Sequence, residues 1–194
     1  MSISVSSRSA SSYAFSSSSP NVLGAQKVVV VTQGTIANRD FNDLIVPTLR
    51  ALENMDVVVV ALTGRADADI GAVPSNAYVA DFIPLDHLLP HTDVMVSNGG
   101  YGGAQQALNH GVPLVLAGES EDKIEVTART AKTGAAINLA TGKPSVDALR
   151  NAVEQVLHDP AFLQHARRLQ SKYRMLDVFA EVDATVEELS RDAL

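Results

Sequence analysis

Two glycine-bearing stretches carry the residue types that chemistry on an anionic ligand needs. The first is Ser97-Asn98-Gly99-Gly100-Tyr101-Gly102-Gly103, with four glycines in five positions. Such a run is costly in chain entropy. Where it opens a helix, it aims a row of backbone N–H groups and a positive helix end at one place, which is a phosphate cradle. It is neither a P-loop nor a dinucleotide fingerprint, because it has no Gly-Lys-Ser/Thr and no GxGxxG. The second stretch is Thr32-Gln33-Gly34-Thr35, in which Gly34 permits close backbone approach and Thr35 adds a hydroxyl donor. As bare motifs, both also fit ordinary structural turns.

Other polar residues suggest less. Glu119, Glu121 and Asp122 could be read as the paired carboxylates of glycoside hydrolysis, but such a pair must flank the scissile bond, and these three crowd one short loop. His87, His91, His110, His158 and His165 are scattered, with no HExxH spacing, and there is no cysteine, so no metal site is expected. Arg167-Arg168 reads as a solvated helix face.

The elements that must position these loops alternate along the chain. Lys27-Val-Val-Val-Val-Thr32 is a β-branched run of the kind found in strands buried on both faces. Residues 40–54 place Phe41, Leu44, Ile45, Leu49 and Leu52 at helical spacing, with Pro47 in an early turn or at a kink. Further strands are expected over 56–63, 77–81, 93–97, 112–117 and 135–139. Helices are expected over 84–89, 104–110, 122–133, 145–158, 160–173 and 178–189, with 99–103 as a loop. Ser145 reads as a cap, and Asp159-Pro160 as a stop. Strands alternating with helices imply right-handed crossovers and an α/β fold with a Rossmann-like, doubly wound parallel sheet followed by C-terminal helices. In such a sheet ligands lie beyond the carboxyl ends of the strands, where both glycine loops fall.

Composition narrows the function classes. The 194 residues carry a formal net charge of −7 and no Lys/Arg-rich run, which argues against a nucleic-acid partner. No apolar run is long enough to span a membrane. Residues 1–26 read as a disordered Ser-rich leader and 27–194 as one domain. The absence of cysteine fits a reducing compartment, and with no secretory signal the expected location is cytoplasmic.

Three motifs in order make the reading specific. Asn98-Gly-Gly-Tyr-Gly-Gly-Ala-Gln-Gln-Ala-Leu is followed by Gly111-Val-Pro-Leu-Val and then by Glu121-Asp122-Lys123. In types and spacing this series resembles the donor-site signature of the UDP-glycosyltransferases of glycosyltransferase family 1. The resemblance is greatest to the C-terminal, donor-binding domain of the bacterial and fungal macrolide-glycosyltransferase-like members. Val31-Thr-Gln-Gly-Thr35, Phe82-Ile-Pro84 and Gly134-Ala-Ala-Ile-Asn138 agree with it, so that the likeness runs from Lys27 to Leu194.

The resemblance implies the C-terminal half of a GT-B fold that binds a UDP-sugar for inverting transfer to an acceptor hydroxyl, without a metal or other cofactor. Gly34 and Thr35 would reach the diphosphate. Phe82 falls where many members stack a Trp on the uracil, and the Ile83 backbone would pair with the base edge. Asn98 replaces a phosphate-binding His and keeps a donor without the charge. Gly99 and Gly100 belong to the same loop, and Gly102 and Gly103 would offer N–H groups to the phosphates. Gln106 falls where plant-type members bind the ribose hydroxyls through a Glu. Asp122 and Lys123 fall on the Asp/Glu-Gln pair that holds the sugar, and lysine there is a departure. No catalytic residue is assigned, because in the family the acceptor and the general-base His belong to the N-terminal domain. A separate acceptor-binding domain or self-association is therefore the expected partner. A non-catalytic nucleotide-sugar-binding module and a truncated glycosyltransferase fragment are the alternatives.

Overall fold

The computed structural model describes residues 26–34, 38–120, 122–176 and 178–192. Apart from Gln26, the expected leader lies outside the described residues, as do Thr35 and Glu121. In chain order the elements are β1 (Lys27–Thr32), α1 (Ile45–Leu52), β2 (Val57–Leu62), β3 (Ala77–Ala80), α2 (Leu85–Leu88), β4 (Val94–Ser97), α3 (Tyr101–Asn109), β5 (Leu114–Leu116), α4 (Lys123–Lys132), β6 (Ala136–Asn138), α5 (Val146–His158), α6 (Pro160–Arg174) and α7 (Val178–Asp192). A 3-10 turn, Leu89–His91, follows α2.

The valine run is buried on both faces because the period of a strand is two. Val29 and Val31 turn to one side with Val57, Val59, Val94, Val96 and Val115, where they pack on α1 and α5. On the other side Met95, Leu114 and Leu116 pack on α3 through Ala104, Ala107 and Leu108, and on α6 through Ala166. Val30 and Leu62 meet Leu88 of α2 in a smaller cluster. The six strands are all parallel, in the order β3-β2-β1-β4-β5-β6. This is the doubly wound order, with its direction of winding reversed between β1 and β4.

Two helix starts differ from the hydrophobic pattern. Residues 41–44 form turns, and α1 begins only at Ile45. Pro47 therefore sits in the first turn, where its missing N–H removes no intrahelical bond. Helix α3 begins at Tyr101 and not at Ala104, with the Ala104 N–H donating to Gly100 O at 3.1 Å. Low glycine propensity hides that turn from a sequence reading. The expected cap holds, with Ser145 Oγ accepting from the Ala148 N–H at 3.2 Å; Asp159, read as the stop after α5, also caps α6, its Oδ1 accepting from the Ala161 N–H at 2.9 Å.

Candidate functional site

Strand register brings the loops together. Thr32 pairs with Ser97, and Ser97 with Leu116. The chain therefore leaves β1, β4 and β5 side by side, as Gln33-Gly34, Asn98-Gly99-Gly100 and Ala117 to Ser120. With the loop after β6 they enclose a cleft of about 190 Å³. Gln33, Asn98, Gly118, Glu119, Lys123 and Lys143 are among its lining residues.

Side-chain amides tie these loops. Gln33 is only 2% exposed. Its Nε2 donates to Asp40 O at 2.9 Å, and its Oε1 accepts the Ile45 N–H at 3.0 Å, the first amide of α1. Asn98 Nδ2 donates to Gln33 O, joining the two loops across the β1/β4 switch point. Asn98 Oδ1 also accepts from the Gly100 N–H at 3.4 Å, a weak contact that turns the loop toward α3. The second hydrogen of the Asn98 amide is a donor of the kind an anionic ligand can take.

The glycines divide by what surrounds them. Gly99 has φ +79°, and a Cβ there would collide with Thr127 Cγ2 of α4. A Cβ on Gly118 would collide with the Asn98 carbonyl oxygen and lie 2.9 Å from Lys123 Cβ. These two serve close packing of the β4 and β5 loops. A Cβ added at Gly34, which has φ +74°, or at Gly100 would stand 3.7–3.9 Å from the Asn98 amide. A Cβ added at Gly103 would stand 3.4 Å from Met95 Cε, while one added at Gly102 would meet nothing within 4 Å. Gly100 caps α3 without a side-chain bond, and the N–H groups of Tyr101, Gly102 and Gly103 precede the first intrahelical bond. Gln106, exposed, lies one turn further along that helix, on the same face as Gly102 and Gly103. Its neighbour Gln105 is occupied, accepting from the Tyr173 hydroxyl.

The remaining residues expected at the site are distributed around this centre. Phe82 is 69% exposed just beyond β3, at one end of the strand order. Its N–H donates to Asp81 Oδ1 at 2.8 Å, and half-buried Ile83 packs toward Val30, Leu62 and Leu88. Asp122 is exposed at the start of α4 and outside the cleft lining. Lys123 is 6% exposed in the cleft wall, with Nζ donating to Ser120 Oγ at 3.3 Å. The two adjacent residues thus face different surroundings.

Sequence reasoning missed Asp43, Gly142 and Lys143, and considered Glu119 only as one of a possible hydrolytic carboxylate pair, which it set aside; all four line the cleft. Lys143 Nζ lies 2.9 Å from Asp43 Oδ1. The hydrogen bond and charge of Asp43 raise the lysine pKa above its ordinary value. The available signal was position, since the loop after β6 is itself a carboxyl-edge loop. None of the five histidines lines the cleft: His110 Nε2 is 3.1 Å from Asp86 Oδ1, and His158 Nδ1 is 2.7 Å from Glu154 O. Among the described residues no group of three or more His, Cys, Asp or Glu could hold a metal ion, and no helix is long and apolar enough to cross a membrane.

The six-stranded, doubly wound parallel sheet is that of solved GT-B glycosyltransferases: the glycosyltransferase of kitacinnamycin is 29% identical with a TM-score of 0.70, covering 78% of this chain and 40% of its own. Residues 47–189 match the family described as erythromycin biosynthesis protein CIII-like, C-terminal domain, and the chain belongs to that family. UDP-glycosyltransferase 2 of Phaeomoniella chlamydospora is 45% identical over 168 residues, which are 84% of this chain and 37% of that protein. 4'-Demethylrebeccamycin synthase of Lentzea aerocolonigenes is 47% identical over 162 residues, 84% of this chain and 38% of the relative. The chain thus spans little more than a third of the length of these relatives. The solved structure of glycosyltransferase VinC in complex with DTDP is 28% identical with a TM-score of 0.72, covering 87% of this chain and 44% of its own. Spinosyn rhamnosyltransferase SpnG complexed with thymidine diphosphate shares the fold, at a TM-score of 0.75 and 22% identity, over 86% of this chain and 47% of its own.

Proposed function

We propose that this chain is the donor-binding domain of an inverting glycosyltransferase, holding a UDP-sugar across the β1/β4 switch point. The observation that carries the reading is the first turn of α3. The N–H groups of Tyr101, Gly102 and Gly103 are left over by the helix, and Gly102 has open space where a side chain would stand. The relatives are named glycosyltransferases, and two solved neighbours of the same fold hold a nucleoside diphosphate.

In this reading Phe82 stacks on the uracil, and the Ile83 backbone meets the base edge. Gln106 accepts from the ribose hydroxyls. Gly34, Thr35, Asn98, Gly102 and Gly103 serve the diphosphate, while Gly99 and Gly100 shape the loop. Asp122 and Lys123 serve the sugar. As the acceptor oxygen attacks the anomeric carbon, charge builds on the departing UDP, and preorganised N–H donors stabilise it. Their field comes from backbone groups and a helix end, so binding needs no metal ion. The acceptor hydroxyl must be positioned and deprotonated by groups from another domain or chain. Loss of a general base alone costs about 10²–10⁴-fold in rate. We place the protein in the cytoplasm.

The test is isothermal titration of the 194-residue chain with UDP, UDP-glucose and dTDP-glucose, each with and without EDTA, followed by assays of donor hydrolysis and of transfer to phenolic, sterol and macrolide acceptors. Binding that survives EDTA, with at most slow hydrolysis, is the expected result. No affinity for any of the three ligands would refute the donor-domain reading. Saturable transfer by these residues alone would refute the need for an outside base.

A further inference from the structure

The loop after β6 carries a lysine that the donor-site reading leaves unused. Ala140 takes the left-handed conformation at φ 53°, with its N–H donating to Asn138 Oδ1 at 2.9 Å, just before Gly142 and Lys143 line the cleft. The Lys143 N–H then donates to Thr141 Oγ1 at 3.1 Å. Gly142 lies so close to Glu119 that an added Cβ would stand 3.1–3.2 Å from its side chain. The loop backbone is therefore fixed against the β5 loop. The Lys143 side chain is 72% exposed and joined to Asp43 by one ion pair at 2.9 Å.

Charge gives this pair a task. The cleft is lined by two cations, Lys123 and Lys143, and by two carboxylates, Asp43 and Glu119, so their formal charges cancel. Lys123 is 6% exposed and bonded to Ser120. Asn98 brings a donor but no charge. A cation able to move toward a diphosphate entering this cleft would add a charge-assisted contact to those of the backbone donors. An exposed lysine–carboxylate pair is weakly held, whereas a phosphate is a more highly charged partner.

Resting on the donor-domain reading above, we propose that Lys143 pairs with the terminal phosphate of the bound nucleoside diphosphate, and that Asp43 holds the lysine at the cleft rim until the ligand arrives. Strand order chooses between the two phosphates. Phe82, the base-stacking residue, follows β3 at one edge of the sheet, and Lys143 follows β6 at the other. A ligand laid across the switch point from the β3 side presents its distal phosphate toward β6.

The experiment is calorimetric titration of UDP and UMP into the wild-type chain, Lys143→Met, Lys143→Arg and Asp43→Asn, with circular dichroism confirming the fold of each. Lys143→Met should weaken UDP about 5–10-fold and change UMP less than about 2-fold, as loss of one charge-assisted contact to the second phosphate requires. Lys143→Arg should retain most of the UDP affinity. Asp43→Asn should tighten UDP about 2–5-fold, because it releases the lysine from a weak surface pair. Opposite signs for the two partners distinguish ligand pairing from a structural tie. The proposal is overturned if Lys143→Met weakens UDP and UMP alike, if it weakens neither, or if Asp43→Asn weakens UDP in parallel with it. A wild-type chain that binds neither nucleotide overturns the donor-domain reading and this proposal together. Wild-type binding left unchanged by Lys143→Met overturns only the role of Lys143.

Discussion

Gly102→Val separates binding from folding more cleanly than any other substitution at the site. A Cβ at Gly102 meets nothing within 4 Å, so the folded chain accommodates the new side chain. Valine is also a better helix residue than glycine by about 0.3 kcal/mol, so the melting temperature should hold or rise slightly. The cost falls on the ligand. A branched side chain on the second residue of α3 stands where a phosphate would approach the N–H groups of Gly102 and Gly103. Blocking one or two such bonds to a charged acceptor is worth about 1–3 kcal/mol, a loss of about 5- to 150-fold in UDP affinity. Titration calorimetry with UDP measures it, with uridine as the control, since a ligand without phosphate should lose little. Gly102→Ala should fall between wild type and valine. UDP affinity unchanged in Gly102→Val, with native circular dichroism, would refute the phosphate cradle.

Asp122→Ala should weaken a UDP-sugar while leaving UDP nearly unchanged, because Asp122 is assigned to the sugar; equal loss of both in titration calorimetry would make the residue structural. Gly118→Ala should destabilise the fold by about 1–3 kcal/mol, since its Cβ would strike the Asn98 carbonyl and lie 2.9 Å from Lys123 Cβ. A denaturant midpoint equal to wild type would show that the loops relax freely. Tyr173 has its pKa raised above 10.0, first by burial and then by Tyr101. The folded state therefore keeps that proton more tightly than the unfolded state does. Its stabilising contribution is complete below the unfolded tyrosine pKa and is lost as pH rises through the folded one. Tyr173→Phe should flatten that alkaline decline in urea unfolding, and an identical slope in both proteins would contradict the assignment.

The strands were legible in the sequence because two-sided burial leaves a plain mark. Val28 to Val31 form a continuous apolar run only where both faces of the sheet are covered, and α1 and α5 on one side, with α2 and α3 on the other, cover them. The Ser145 cap was legible for a similar reason, since it acts within three residues of itself. The start of α3 was not. Glycine lowers helix propensity locally, while the contact of Ala104 with Met95 and Leu114 that fixes this turn is remote in sequence. The division among the glycines was hidden too. Gly99 and Gly102 look alike in the motif, and only Thr127, 28 residues after Gly99, shows that the first serves packing and the second faces open space. Lys143 escaped because its neighbour in the cleft is Asp43, a hundred residues earlier.

An acidic domain can hold a diphosphate if the local field is right, and the helix ends show where that field is. In a parallel sheet every crossover helix begins at the carboxyl edge, so α1, α3, α4 and α5 all direct their positive ends toward the side where the cleft lies. Three of these ends already meet a side-chain acceptor or a carboxylate. The first amide of α1 is bonded to Gln33 Oε1. Helix α5 has the Ser145 cap and Asp147 in its first turn. Helix α4 starts at Asp122 and has Glu125 in its first turn. Among the described residues, helix α3 has no side-chain acceptor on its first amides and no acid in its first turn, and it starts with glycine at two of its first three residues. Its positive end lies at the switch point, where the two loops joined by Asn98 leave the sheet. The net charge of −7 is spread over a surface largely screened by salt at that distance, whereas an anion on the first turn of α3 meets the dipole within hydrogen-bond range.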